Sequence, residues 1–334
     1  MPTRSYYFPR EFSHIEAMLS EDESAVQDDK FRKFRELNIA PLFSGMDLAI
    51  VLGIGPGLLI SILKKQERHY RRFPLEKGDG SVRMIASPKT YLKVIQWWIL
   101  DNILNQLDVH SSAFGFIKNR SILDNAALHL GSRHFLNVDI KSFFDSVKEE
   151  SVVDLFCDIG YSKKTSMILA RICCLNGALP QGAPTSPAIG NQILKPLDVR
   201  LSDALLENGY KYSRYADDIT VSGRDRIETE LLDTIRGEVE TAGFELKHAK
   251  TRFAGPGDRT EVTGLVVRDF VQPPREWRKR TRAVLHRLSF KPVLETREID
   301  YLRGIIGYAK GFSDSHQMQK LGAQAFDLIG KEKG

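Results

Sequence analysis

The chain has 334 residues, 42% hydrophobic and 27% charged, with a formal net charge of +5 from 48 Lys+Arg against 43 Asp+Glu, the composition of an ordinary soluble protein of one large or two modest domains. Its three cysteines, Cys157, Cys173 and Cys174, are odd in number and two are adjacent in an apolar stretch, which excludes a disulfide framework and a zinc pattern and suits a reducing cytosol. No apolar run approaches the roughly 18 residues needed to span a bilayer, and Met1 to Arg10 lacks the order of a signal peptide, so the expectation is a soluble, intracellular protein with no membrane partner.

Residues 1–70 predict an N-terminal helical layer. Ile15, Met18 and Leu19 recur at helical spacing, as do Leu48, Val51 and Leu52 behind the capping residue Ser44. Gly53, Gly55 and Gly57 mark a helix-to-helix turn, because no strand pattern precedes them and the Lys-Ser/Thr ending of a phosphate loop is missing. From Phe73 to Pro88, two apolar runs flank Gly78-Asp79-Gly80, the pattern of a β-hairpin with Lys77 and Arg83 beside its turn. The stretch Tyr91 to Leu107 places Leu92, Ile95, Ile99 and Leu100 on one face of an amphipathic helix in which Trp97 and Trp98 pack.

The middle of the chain alternates strands, at 135–140 and 217–222, with helices at about 149–175, 187–207 and 226–242. That is an α+β pattern. Pro273-Pro274 marks a joint, after which Thr281, Val284, Leu285 and Leu288 line one helix face and Arg275, Arg278 and Arg282 another. Between Arg268 and Leu288 seven Arg/Lys stand against two acids, the local density of a surface for a phosphate backbone.

Two segments carry chemistry. Phe135-Leu136-Asn137-Val138-Asp139 runs an apolar strand into a carboxylate, and Tyr215-Ala216-Asp217-Asp218 sets two adjacent carboxylates in a tight turn between strand-forming runs. Carboxylates gathered beside apolar strands are costly unless a cation sits among them. Two Mg²⁺ about 3.5–4 Å apart, as in phosphoryl transfer, need hard oxygen ligands converging from more than one strand. Asp139 and Asp217 are the expected bridging ligands, and Asp218 a third that only the turn brings inward, since neighbours on a strand point to opposite faces.

Tyr215-Ala216-Asp217-Asp218, with Asp139-x-x-x-x-Phe144 upstream, resembles the active-site signature of reverse transcriptases, and Leu179-Pro180-Gln181-Gly182-Ala183-Pro184-Thr185-Ser186-Pro187 resembles the family element lying against the incoming nucleotide and template. The resemblance implies a right-hand polymerase, with a palm of antiparallel sheet plus helices, fingers and a small helical thumb. Residues 1–70 become the helical layer of the fingers, 71–138 the fingers and start of the palm, 139–267 the palm with the catalytic motifs, and 268–334 a basic thumb. It further implies that Lys77 and Arg83 grip the triphosphate of a dNTP, that Gln181 and Gly182 line its site, that Phe144 excludes a ribose 2′-hydroxyl, and that Lys250 protonates the departing pyrophosphate, with Lys247 as its rival. Arg275, Arg278 and Arg282 become RNA-binding residues of the thumb.

Two further strings narrow the likeness. Asn125-Ala126-Ala127-Leu128-His129 resembles the Asn-Ala-x-x-His element of bacterial retron reverse transcriptases, and Val262-Thr263-Gly264 their Val-Thr-Gly triplet. That family implies a cytoplasmic bacterial enzyme with a cognate structured noncoding RNA as partner, synthesis primed from an RNA 2′-hydroxyl, a branched RNA–DNA product, and anti-phage defence beside an effector supplied as a separate polypeptide. The alternatives are a group II intron-like or other bacterial reverse transcriptase, and an RNA-binding protein on a dead polymerase scaffold. The last would have lost a carboxylate, whereas Asp139, Asp217 and Asp218 are all present.

Overall fold

The computed structural model describes residues 11–19, 25–76, 78 and 80–330, with only the backbone of 25–30. Lys77, expected beside the hairpin turn, lies outside the described residues. Helices α1 (Phe12–Leu19), α2 (Ala25–Glu36), α3 (Gly45–Val51) and α4 (Pro56–Lys64) precede strands β1 (Tyr70–Glu76) and β2 (Val82–Pro88). Then come α5 (Thr90–Asn102), α6 (Ile122–Leu128), β3 (His134–Asp139), α7 (Phe143–Ser146), α8 (Glu149–Ile159), α9 (Lys163–Cys173) and α10 (Ser186–Glu207). The remainder is β4 (Lys211–Tyr215), β5 (Asp218–Gly223), α11 (Thr229–Thr241), β6 (Arg252–Ala254), β7 (Glu261–Val262), β8 (Leu265–Val267), β9 (Val271–Gln272), α12 (Arg275–Leu288), α13 (Thr296–Lys310) and α14 (His316–Gly330). This is a mixed fold of antiparallel sheets and many helices. No helix among the described residues is long and apolar enough to cross a membrane.

The chain divides into two units. The first comprises Met1–Ser111, Lys141–Val199 and Glu240–Phe244. In it Ser44 and Asp47 cap α3 reciprocally, and Gly53 at φ +58 with Pro56 at the start of α4 makes the expected helix-to-helix turn. β1 and β2 pair from Tyr70↔Pro88 to Glu76↔Val82. α5 ends at Asn102 rather than near Leu107, where the Asn102 Nδ2 turns back to the Trp98 carbonyl at 2.9 Å; Trp97 and Trp98 are buried. The helical stretch expected over 149–175 is two helices, because Gly160 at φ +121 ends α8 and Ser162 caps α9.

The second unit comprises Ser112–Ile140, Arg200–Val239 and Glu245–Gly334. Its four-stranded sheet has the order β4-β5-β3-β6, antiparallel throughout. Alternation puts Leu136, Val138, Ile219, Val221 and Tyr212 on one buried face, apolar apart from Arg214. The opposite face carries Phe135, Asn137, Asp139, Ser213, Asp218, Thr220 and Ser222, and is mostly polar, with Phe135 and its β6 partner Ala254 as apolar members. Phe135 anchors a core shared with Ala126 of α6, Val262 and Leu265 of the small sheet β7-β8-β9, and Leu285, Leu302 and Leu321 of the last three helices. Thus α6 and the small sheet cover the polar face.

Candidate active site

The register of β3 against β5 pairs Asp139 with Asp218, and the Ile140 amide donates to the Asp217 carbonyl at 2.9 Å, so the second unit alone gathers all three carboxylates. Asp139 is buried, while Asp217 and Asp218 lie nearer solvent. Although Asp218 presents surface, atoms crowd its carboxyl. That desolvation, then the charges of Asp217 and Asp139, raises it to about 7. Asp139, its partner in the register, adds to that upward push, and carboxyls so close call for a proton or a cation between them.

Lys250 supplies one positive charge. Its ammonium donates to the Asp139 carboxylate. Burial works against the charged lysine, yet the hydrogen bond to Asp139 and the charges of Asp139, Asp218 and Asp217 outweigh it and move its pKa upward. Lys247 meets the same aspartate differently, through its backbone amide to the Asp139 carbonyl at 2.7 Å. Among the described residues no three carboxylate, imidazole or thiol groups stand already converged as a metal cluster. The donor set still fits a hard divalent cation in its chemistry: oxygens only, mutually repelling, from the adjacent strands β3 and β5 and the β4–β5 turn.

Three features that hold the turn escaped sequence reasoning. Ala216 sits at φ +57, a conformation that costs an L-residue about 1 kcal/mol. Arg214, fully buried, donates through Nη1 to the Ala216 carbonyl at 2.9 Å, and its backbone pairs with Ser112 and Phe114 at 2.8 Å each. That pairing brings Gly115 against the turn, where a Cβ on it would lie 2.6 Å from the Ala216 nitrogen. The only sequence cue was a glycine flanked by two phenylalanines, a short string with no periodicity to give it meaning.

The first unit holds the other expected nucleotide-site residues. Arg83 is exposed on β2, opposite Leu75. Gln181 accepts the Ala86 amide of β2 at 2.8 Å through its carbonyl, while its side-chain Oε1 is buried without a hydrogen-bond partner. Gly182, at φ +123, approaches β2 so closely that a Cβ would meet Ile85 Cγ2 at 2.9 Å and the Ala86 oxygen at 3.0 Å. No other residue type fits there without displacing the hairpin. Phe144 is half-buried, 5.1 Å from the ring of Phe143, which is itself buried against Gly190 and 5.8 Å from Phe244.

In the second unit the two short strings, far apart in sequence, meet. Thr263 Oγ1, in the β7–β8 turn, donates to the Ile122 carbonyl of α6 at 3.3 Å, and Val262 shares a core with Ala126. Thr263 at φ +49 and Gly264 at φ +78 form that turn. Asn125 is buried, its Oδ1 without a partner. His129 is wholly buried between the Ser213 and Ser222 hydroxyls, at 2.7 Å from each. On α12, Thr281, Leu285 and Leu288 are buried and Arg275 and Arg282 exposed, as the periodicity predicts. Arg278 is half-buried and donates to Gln317 of α14.

A sequence model of the family "Reverse transcriptase (RNA-dependent DNA polymerase)" matches residues 75–303. The chain is 33% identical to the Retron Ec86 reverse transcriptase of Escherichia coli over 290 residues, covering 86% of this chain and 89% of that protein. It is 36% identical to the Retron Mx65 reverse transcriptase of Myxococcus xanthus, covering 79% and 67% of the two chains. The Retron Mx162 reverse transcriptase of the same organism is also 36% identical, with 77% and 62% covered. Strands that bring Asp139 to Asp217-Asp218 and a match of this extent agree: the chain belongs to the reverse transcriptases, RNA-directed DNA polymerases, and among them to the retron family.

Proposed function

We propose that this RNA-directed DNA polymerase copies part of a cognate structured noncoding RNA into DNA, using Asp139, Asp217 and Asp218 to hold two Mg²⁺ ions. The observation that carries the reading is the pairing of Asp139 with Asp218 beside Asp217, three carboxylates whose mutual repulsion only a cation or a proton relieves. Divalent ions are general to the family; when bound, they would activate the attacking hydroxyl and stabilise the triphosphate and leaving pyrophosphate.

This chain's own residues do the rest. Lys250, already charged beside Asp139, delivers a proton to the departing pyrophosphate. Arg83, with Lys77, contacts the triphosphate by charge-assisted hydrogen bonds. The unsatisfied Oε1 of Gln181 takes a donor from the incoming nucleotide or the template, and the bare backbone at Gly182 lets the hairpin approach. Phe144 excludes the ribose 2′-hydroxyl. The four-stranded sheet forms the palm, the β1–β2 hairpin and the helices before it the fingers, and the region after about 268 a thumb whose exposed Arg275 and Arg282 face the template–primer duplex, while Arg278, expected with them, is turned to Gln317.

Within the retron family, the reading extends to priming from an RNA 2′-hydroxyl, a branched RNA–DNA product, and anti-phage defence with a separate effector. The test is synthesis by the purified protein on its cognate RNA with Mg²⁺ and dNTPs, followed by analysis of the product for a 2′,5′ linkage. Asp217→Asn removes a ligand at nearly constant volume, so synthesis is lost while RNA binding persists. Near-normal extension by that variant overturns the ligand assignment.

A further inference from the structure

His129 is buried where no bulk solvent reaches it, and both ring nitrogens are engaged. Nδ1 lies 2.7 Å from Ser222 Oγ on β5, and Nε2 lies 2.7 Å from Ser213 Oγ on β4. These are the two strands of the hairpin whose turn carries Asp217, with Asp218 as the first residue of β5. The Ser222 hydroxyl donates onward to Ser132 Oγ at 2.9 Å. Its proton is therefore used, and Ser222 can only accept from the imidazole. It follows that Nδ1 carries the hydrogen, that Nε2 accepts, and that the Ser213 hydroxyl donates to it. The chain Ser213, His129, Ser222, Ser132 is directional.

We infer that His129 is a positioning residue for polymerisation: its neutral imidazole bolts β4 to β5 beneath the catalytic turn and ties that hairpin to α6. Three observations support this beyond ordinary packing. A leucine or phenylalanine would fill the space, whereas imidazole bonds buried hydroxyls on two different strands at once, donating to Ser222 and accepting from Ser213. Neither strand is bolted at a neutral place, because Ser213 and Ser222 share the sheet face that presents Asp218 and, on β3, Asp139. The bolt's other end is anchored too: α6 is capped by Ser121 and Asp124 and held by Thr263 Oγ1 on the Ile122 carbonyl, while Asn137 of β3 donates to the Glu261 carbonyl at 2.9 Å. The family strings around His129 and Thr263 thereby act together as a brace on the carboxylate site, without touching substrate.

The inference rests on the assignment of Asp139, Asp217 and Asp218 as the metal carboxylates, and Asp217→Asn tests that separately. For the brace, His129→Phe preserves bulk and removes both hydrogen bonds; His129→Gln retains one donor and one acceptor. The expected result for His129→Phe is a fall in kcat of about tenfold with KM for dNTP little changed. The Mg²⁺ concentration for half-maximal activity rises several-fold, and His129→Gln partly restores both.

In the metal-free protein, amide hydrogen exchange accelerates over 215–222 before it does so elsewhere, and nitrogen NMR of the wild type finds the Nδ1–H tautomer. If His129→Phe folds poorly, Ser213→Ala and Ser222→Ala probe each bond with the imidazole in place, and their effects combine non-additively with His129→Gln. Should folded variants have lower melting temperatures but unchanged kcat, Mg²⁺ dependence and exchange over 215–222, His129 only packs and the inference fails. Should Asp217→Asn remain active, the failure lies in the carboxylate assignment instead.

Discussion

Gly115 and Ala216 meet so closely that a single methyl group on the former would lie 2.6 Å from the latter's backbone nitrogen. The neighbour is main chain inside a strained turn, so it has little room to yield. Overpacking of this kind costs about 1–3 kcal/mol. Gly115→Ala is expected to slow nucleotide incorporation by tenfold or more with a modest loss of thermal stability, read by single-turnover kinetics beside a melting curve. An active Gly115→Ala enzyme would show that the turn tolerates displacement.

The two candidate lysines make different contacts with Asp139, one through its ammonium and the other through its backbone. Lys250→Ala should lower kcat by about 10²-fold or more, the usual weight of a general acid, and should flatten the alkaline limb of the pH–rate profile. Lys247→Ala keeps its main-chain bond and should remain within a few-fold of wild type. The reverse ranking would reassign the proton donor.

Phe144 rests on Phe143, which is packed against Gly190 and Phe244, so truncating Phe144 leaves its support in place. Phe144→Ala should admit ribonucleotides, raising the rNTP to dNTP incorporation ratio by at least about tenfold at small cost in stability. An unchanged ratio removes Phe144 from sugar selection.

Arg275 and Arg282 are exposed on α12, whereas Arg278 is committed to Gln317. Replacing Arg275 and Arg282 by Gln should weaken RNA binding and reduce the magnitude of its slope against salt by about 1–2, as expected for two lost phosphate contacts. Arg278→Gln should register mainly in thermal stability. Filter binding across a salt series distinguishes them, and an equal slope in the double variant would make α12 an ordinary solvated surface.

Burial first, then the nearby charge of Lys211, lowers the His129 pKa from 6.5 to about 3. Between those values the unfolded chain takes up a proton that the native protein refuses. Stability from this residue is therefore fully present above about pH 6.5 and is lost as pH falls toward 3, at up to about 1.4 kcal/mol per unit. Denaturant melts at pH 7 and 5 should show this loss, and His129→Gln should reduce it. A wild-type protein equally stable at both pH values would mean that His129 is not kept neutral.

The hairpin at 70–88, the strand ending in Asp139 and the Asp217-Asp218 turn were legible in the sequence because each has a local signature: alternation, turn glycines, adjacent carboxylates. Thr281, Leu285 and Leu288 likewise announced their buried face. What periodicity missed depends on partners far along the chain. Nothing near Gly115 says that Ala216 lies against it, and no local rule pairs His129 with serines 84 and 93 residues downstream. Arg278 shares its helical stripe with Arg275, yet Gln317 on another helix decides its direction. Glycine breaks were underweighted too, as Gly160 divides what periodicity alone joins.

The second unit is assembled from three stretches of chain, and Asp139 must wait for a lysine 111 residues later before its first ion pair can form. At ribosomal speeds of about 5–20 residues per second, that interval is roughly 5 to 20 seconds. For the first 79 of those residues, up to Asp218, β3 lacks β5 and the carboxylate site does not exist, and β6 follows only after Lys250. A nascent copy cannot polymerise on the messenger that encodes it, however close that RNA lies. The same delay leaves an apolar strand unpaired, so the scattered order of the sheet makes the newborn enzyme silent and, for those seconds, dependent on whatever shields it from aggregation.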